Sequence, residues 1–136
     1  MGKLLERLKD ASRSGVYRVR SDAPVLDALR EGSLSPAKIL LEGAATKADL
    51  LQRMACTLKF PEWFGGNWDA LEDCLTEVRG YLLLYGYQGI AADDLGVLID
   101  VLASSAEFRA EHGEPFFAIF VDPDGSLHID DLFREA

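Results

Sequence analysis

Residues 67–78 carry carboxylates and apolar side chains at the spacing of an amphipathic helix. At about 100° per residue, the apolar side chains fall on one face and four carboxylates on the other: Asp69, Glu72, Asp73 and Glu77. Asn67 is a good N-cap, and the helix dipole favours Asp69 in the first turn. Asp73 follows Asp69 by four residues, so the two like charges repel by about 0.2 to 0.5 kcal/mol on an isolated helix. An acidic face of this kind is usually solvated surface, so its neighbours must decide whether it binds a partner.

The segment before this helix supplies aromatic and glycine residues. Trp63 and Phe64 stand directly before the pair Gly65-Gly66. An aromatic residue ahead of a helix usually packs into the core, and we expect one of the two to do so. An aromatic side chain left exposed beside carboxylates would anchor a partner rich in Arg and Lys. The glycines predict a turn with positive φ, and their bare amides can also meet a partner.

Composition limits the class of partner. The chain has 136 residues, with 14 Lys and Arg against 23 Asp and Glu, for a net charge of -9. Nucleic acids and anionic membranes are bound through basic side chains, so neither is an expected direct partner. The acidity favours a basic protein partner instead. The length predicts one domain with a core large enough to fold without disulfides or metal.

No pattern predicts a catalytic residue, a metal centre or a cofactor. His112 and His128, the two histidines of the chain, have no second ligand at metal spacing and are expected in exposed turns. The turn at 122–125 is similar to part of a calcium loop, but its glycine comes too early and no Glu closes it. Asp69 and Asp73 could form the acid and base of a hydrolase, although exposed helical carboxylates lack the burial that separates their pKa values.

Short apolar runs alternate with helical stretches along the chain, which is typical of a parallel sheet with crossover helices. Helices are predicted at 3–11, from Pro24 to Gly32, from Thr46 to a point before Pro61, at 67–78 and at 95–110, and strands at 16–19, 39–41, 81–85 and 116–121. The turn at 122–125 predicts a hairpin in which residues 127–129 return as an edge strand.

The cysteines and the hydropathy of the chain predict a cytoplasmic protein. Cys56 and Cys74 lie in apolar contexts, so we expect two small buried side chains rather than a disulfide, as in a reducing compartment. The N-terminal residues lack the apolar stretch of a secretory signal. No apolar run approaches the length of about 20 residues that spans a bilayer.

Residues 61–75 resemble the signature of the barstar family of ribonuclease inhibitors. In that signature a Pro-acid-aromatic-aromatic-Gly loop leads into Asn-x-Asp-Ala-Leu-x-Asp-Cys-Leu. The segment here is Pro61-Glu62-Trp63-Phe64-Gly65-Gly66-Asn67-Trp68-Asp69-Ala70-Leu71-Glu72-Asp73-Cys74-Leu75. The resemblance has no gap, and the order of elements from Ile39 through Val121 is similar to the family fold as well.

The resemblance implies an α/β, barstar-like fold of three layers. A small parallel sheet has three core strands, extended by an N-terminal strand and a C-terminal edge strand, and is packed by helices. The chain is then a single barstar-like domain over 1–136, with a family core at about 38–121, an N-terminal extension at 1–37 and a C-terminal extension at 122–136.

The resemblance also implies a function, a site and a partner. The loop and helix would plug the active site of a basic ribonuclease or related nuclease toxin, with carboxylates in place of RNA phosphates. Asp73 resembles the carboxylate of the phosphate site, Asp69 its acidic helper, and Trp63 and Gly65 the loop contacts. The implied partner-binding residues are Trp63, Phe64, Gly65, Gly66, Asn67, Asp69, Glu72, Asp73 and Glu77. The protein would be a bacterial antitoxin or immunity protein that binds one to one as a monomer.

Two departures from the prototype inhibitor concern the choice of partner. Glu72 stands where the prototype has an aromatic residue, and the region 103–105 lacks the acid of the prototype's last helix unless Glu107 serves. Both departures predict a partner other than the prototype's own enzyme. The alternative function is that of an acidic adapter, which keeps the fold and binds another basic protein.

Overall fold

A parallel sheet of five strands lies at the centre of the fold. The computed structural model describes residues 3–61 and 64–133. The strands are β1 (Gly15–Val19), β2 (Ala37–Leu40), β3 (Tyr81–Tyr85), β4 (Phe117–Val121) and β5 (Asp130–Asp131). Their order in the sheet is β2-β3-β4-β1-β5, and every neighbouring pair is parallel. This is the predicted sheet, with both predicted extensions present.

Helices cover both faces of the sheet, as the predicted three-layer fold requires. They are α1 (Lys3–Lys9), α2 (Ala23–Glu31), α3 (Lys47–Leu58), α4 (Trp68–Leu75) and α5 (Ala92–Glu111), with short 3₁₀ turns at Ala11–Arg13 and Tyr87–Gly89. Successive residues of β3 point to opposite faces. Leu82 packs into the main core, which β3 shares with α3, α4 and α5. Leu83 packs into a second core, which the strand shares with α1 and α2. In the described part of the chain, no helix is long and apolar enough to cross a membrane.

The N-terminal extension belongs to the interior of the sheet. Strand β1 lies between β4 and β5, with Gly15 opposite Phe117 and Val19 opposite Val121. Its neighbours therefore come from the far end of the chain. Residues that precede the predicted family core thus complete the sheet on which the helices pack.

The predicted C-terminal hairpin is wrong, and the edge strand lies at Asp130–Asp131 instead of the predicted 127–129. Residues 130–131 form β5, which pairs with β1 in parallel, with Tyr17 opposite Asp130. The chain after β4 does not reverse, because it crosses over the end of β1 and is held there. The Arg18 guanidinium donates hydrogen bonds of 3.0 Å to the carbonyl oxygens of Gly125 and Leu127, and Leu127 is buried in the main core.

Asp122 holds this crossing segment in place through hydrogen bonds of its side chain. Its buried carboxylate accepts hydrogen bonds from the Tyr87 hydroxyl at 2.6 Å and from the Leu127 amide at 2.9 Å, and the Ser126 amide adds a third. Burial pushes the pKa of the Asp122 carboxyl upward, but these hydrogen bonds outweigh burial, and the pKa lies below its ordinary value. The segment is similar in sequence to a calcium loop, yet its carboxylate is used to bind the chain's own donors.

We expect Asp122→Asn to lower the free energy of unfolding by about 2 to 4 kcal/mol at pH 7, because an amide cannot accept from every one of these donors. A carboxyl with a depressed folded-state pKa stabilises the fold above its unfolded pKa of about 3.9 and loses that contribution as pH falls through the folded value. The difference between the two proteins should therefore shrink from pH 7 to pH 3 in urea denaturation. Asp124→Asn, at an exposed position of the same turn, is the control and should change stability by under about 0.5 kcal/mol. A difference independent of pH would contradict this account.

Candidate functional site

Helix α4 exposes its acidic face because its opposite face is buried in the main core. Leu71, Cys74 and Leu75 are buried, whereas Asp69, Glu72 and Asp73 are exposed. The helix packs against α5, which fixes which side faces solvent. The amphipathic pattern of residues 68–75 therefore has the orientation that the sequence predicts.

The N-terminus of α4 is capped by the residue that the sequence indicates. The Asn67 side-chain oxygen accepts a hydrogen bond of 2.7 Å from the Ala70 amide, which satisfies one of the free donors of the first turn. Gly66 precedes it with a φ of 70°, a conformation that favours glycine. Gly65, Gly66 and Asn67 are all exposed. Cap and turn together fix the direction in which the chain enters the helix.

The aromatic residues near α4 divide between the core and the surface. Phe64 is half-buried and packs on the main core, with its ring 5.0 Å from that of Phe60 between centroids. This position fits the expectation that one aromatic of the pair lies in the core. Trp63, together with Glu62, lies outside the described residues, so its contact role stays a prediction. Trp68 is half-buried, and the Lys47 ammonium lies 5.9 Å from its ring centroid.

The exposed carboxylates of α4 are not neutralised by the described residues. The ion pairs found there join Arg18 to Asp122, Arg30 to Asp27 and Arg109 to Glu114. None of these involves Asp69, Glu72 or Asp73. Three negative charges on one short helix therefore face solvent, where a cationic partner can meet them.

The acidic face is smaller than the sequence predicts, because α4 ends at Leu75 instead of Val78. At this end the Thr76 hydroxyl donates a hydrogen bond of 2.8 Å to the Asp73 carbonyl oxygen. Glu77 therefore lies beyond the helix, exposed, and lines a cavity together with Val78. The structure brings Asp69, Glu72 and Asp73 onto one helical face and leaves Glu77 off it.

Arg109 of α5 positions the end of α4, and sequence reasoning missed it. This buried guanidinium donates hydrogen bonds to the carbonyl oxygens of Leu75 at 3.2 Å and Val78 at 2.7 Å, and to the Glu114 carboxylate at 2.9 Å. A cation suits the negative end of the α4 dipole. The only signal in the sequence was an arginine on the apolar side of a long helix, where a charge needs internal acceptors.

The cysteines and histidines are the remaining polar candidates. Burial raises the pKa of the Cys74 thiol, and the nearby Asp73 and Glu77 charges raise it further, so the thiol stays protonated. Both cysteines are free, but Cys56 is exposed, which corrects the prediction that it is buried. The helix around it packs through Leu50, Leu51 and Met54 instead. His112 and His128 are exposed, as predicted. Among the described residues, no group of three or more His, Cys, Asp or Glu could hold a metal ion.

Helix α5 supplies no further acid at the position that the resemblance singles out. Ser104 is exposed, and Ser105 is buried with its hydroxyl bonded to the Val101 carbonyl oxygen at 2.9 Å. Glu107 is exposed on the same helix. Its use in place of the missing acid stays a prediction.

The fold and this surface define a class of protein: an α/β scaffold that exposes the acidic face of a capped helix to solvent. The chain matches the family described as Barstar (barnase inhibitor) over residues 34–121, and it belongs to that family. Barstar-family proteins are ribonuclease inhibitors rather than enzymes, and their partners are proteins. The match begins in the segment before β2 and ends with β4, and it includes the whole of α4. No curated protein matches the chain.

We expect Arg109→Met to lower the free energy of unfolding by about 2 to 4 kcal/mol, because the Leu75 and Val78 carbonyl oxygens lose their donor in a largely buried site. Glu114→Gln is the matched control. Its side chain is 55% exposed, so its loss should cost under about 1 kcal/mol. Urea denaturation of both variants measures the difference. Equal costs would show that the ion pair, and not the cap on α4, is what stabilises the fold.

Proposed function

We propose that this protein inhibits a basic ribonuclease or related nuclease toxin by placing α4 and the preceding loop in the enzyme's active site. Asp69, Glu72 and Asp73 then occupy positions that RNA phosphates would take. The observation that carries the proposal is that these carboxylates are exposed and form no ion pair with residues 3–61 or 64–133, within the region that matches the family. The role is that of an antitoxin or immunity protein, which protects the cytoplasm of a producing bacterial cell.

The rigidity of the site supports tight binding. The N-cap at Asn67, the buried side of α4 and the Arg109 cap hold the helix before a partner arrives. A preformed surface loses little conformational entropy on association, so more of the interaction energy appears as affinity. Exposed carboxylates on a helix also keep a fixed spacing, which suits the fixed phosphate subsites of a nuclease.

The charge of the protein supports fast binding. A net charge of -9 attracts a basic enzyme over several ångströms and orients it toward the most negative surface. Glu72 adds a charge where the prototype inhibitor has an aromatic residue. The proposed partner therefore presents a cation, and not an apolar platform, opposite Glu72. We propose a one-to-one complex of two monomers.

Asp73→Ala should weaken the complex by about 2 to 5 kcal/mol, or about 30-fold to 4,000-fold in Kd, because truncation leaves buried enzyme cations unpaired. The general range for truncating one partner of a buried charge pair already includes measurements on a ribonuclease–inhibitor complex of this family. Asp27→Ala is the matched control, since it removes the same charge from α2 on the other side of the sheet. Affinity is to be measured by calorimetry, and inhibition by RNA cleavage, against a panel of small basic ribonucleases that includes barnase.

The partner can also be captured directly. Immobilised wild-type protein should retain a basic nuclease from a lysate of the source organism, and Asp73→Ala should retain much less of it. Retention of no nuclease would count against inhibition. Equal retention of a basic protein without nuclease activity by both forms would favour the acidic adapter instead.

The salt dependence of association tests the electrostatic part separately. Raising NaCl from 50 to 500 mM should lower the association rate constant by at least about tenfold, because salt screens the attraction between exposed charges. The dissociation rate should change less, since contacts inside the complex are shielded from salt. Stopped-flow fluorescence measures both rates. An association rate that is insensitive to salt would argue against steering by the acidic surface.

A further inference from the structure

The two edge strands of the sheet differ in how much open edge they leave. Strand β5, at one edge, has only two residues, and both are acids, Asp130 and Asp131. Strand β2, at the other edge, has four residues, and among the described residues it pairs with β3 alone. An unpaired strand edge carries amide and carbonyl groups that can bind a strand of another chain. The β2 edge is therefore the one at which this sheet could grow.

The backbone of β2 alternates between groups that face β3 and groups that face the open edge. The Leu41 amide donates a hydrogen bond of 2.7 Å to the Tyr85 carbonyl oxygen of β3, so by alternation Ile39 also faces β3. The amide and carbonyl groups of Lys38 and Leu40 then face outward. The Leu40 side chain is 61% exposed, the highest fraction among the large exposed hydrophobic side chains of the described residues. Outward backbone groups beside an exposed apolar side chain are what an added strand would bind.

Arg53 of α3 covers this edge. Its Nη1 donates hydrogen bonds of 2.8 Å to the carbonyl oxygens of both Leu40 and Glu42. One nitrogen makes both bonds, so the two carbonyl oxygens point to the same place. A charge-assisted hydrogen bond of this length is stronger than the bond between neutral groups that strand pairing offers. The turn after β2 also lies against the guanidinium, because a Cβ on Gly43 would be 3.4 Å from Arg53 Nη2. Arg53 thus takes the Leu40 acceptor that the amide of an added strand would need.

The other end of β2 is limited by proline. Pro36 comes directly before the strand, and proline has no amide to donate to a neighbouring strand. The open edge is therefore short, and Arg53 closes the part of it that carries the exposed Leu40.

We propose that Arg53 keeps this protein monomeric by blocking strand addition at β2. The strand that Arg53 excludes is β2 of a second copy, because two identical strands related by a two-fold axis present the same groups to each other. Growth would stop at a dimer, since the remaining edges are the two-residue acidic β5 strands. The proposal rests on the hydrogen bonds at this edge and does not depend on the proposed inhibition.

Arg53→Ala should convert the monomer into a dimer. Analytical ultracentrifugation is run at about 0.5 M NaCl, because salt screens the repulsion between two acidic copies. The mass of Arg53→Ala should rise toward twice 15.0 kDa with concentration, whereas the wild-type protein should stay at 15.0 kDa. In the dimer, the amides of Lys38 and Leu40 should exchange with deuterium at least about tenfold more slowly than in the wild-type protein, because each gains an acceptor. A monomeric Arg53→Ala protein with faster exchange throughout residues 37–43 would overturn the proposal and leave Arg53 as a support of the turn alone.

Two control variants separate the open edge from lost stability and lost charge. Asp122→Asn weakens the fold at the end of β4 without changing β2, and Arg30→Ala removes a cation from an exposed position of α2. Both should remain monomeric under the same conditions. A dimer of either variant would assign the association to instability or to charge, and would overturn the role of Arg53.

A second substitution in the Arg53→Ala protein tests whether β2 is the strand that pairs. Leu40→Pro removes an outward amide and none of the amides that bond to β3, so the double variant should return to the monomer. Leu40→Lys keeps the backbone and adds a charge to the edge, and it should have the same effect where proline perturbs the strand. A dimer that persists in both double variants would overturn the assignment to β2.

Discussion

The fold depends on a buried guanidinium at the junction of α4, α5 and the sheet. Arg109 is 9% exposed, and its charge would be costly there without acceptors. The Leu75 and Val78 carbonyl oxygens, the Glu114 carboxylate and the face of the Phe116 ring, 5.3 Å away, together supply them. Because these carbonyl oxygens turn toward Arg109, the helix ends at Leu75. The limits of the acidic face and the start of the turn to β3 follow from this single contact.

Local patterns predicted most of the architecture because most elements are defined by neighbouring residues. Alternating or continuous apolar runs predicted β1, β3 and β4. Thr46 and Asn67 predicted helix starts, because each side chain accepts a hydrogen bond from the amide three residues later. The predictions that were wrong concern features set by contacts between residues far apart in the sequence. The end of α4 is set by Arg109, 31 residues beyond Val78, and the path to β5 is set by Arg18, 107 residues before Gly125. Contacts at such separations leave no periodic signal in the sequence.

The candidate site likewise contains residues whose positions the sequence predicted and one, Glu77, whose position it did not. Asn67 caps the helix that carries Asp69 and Asp73, so the relative positions of these residues could be predicted from their spacing alone. Glu77 was misplaced because spacing assumes that the helix continues. Lys59 ends α3 in the left-handed conformation, which the sequence does not predict, because lysine has no preference for it.

Two arginines, Arg18 and Arg53, are bound to backbone carbonyl oxygens of the fold. Arg18 donates to the carbonyl oxygens of Gly125 and Leu127, and Arg53 donates to those of Leu40 and Glu42 at 2.8 Å. Guanidiniums that donate to backbone carbonyl oxygens stabilise crossings of the chain and have their donors occupied there. In the described part of the chain, Asp69, Glu72 and Asp73 of α4 form no ion pair, although the chain contains enough arginine to pair with them. By using arginine donors on its own backbone, the fold leaves the three carboxylates of α4 exposed on one face of a capped helix, and the proposed inhibition depends on this exposure.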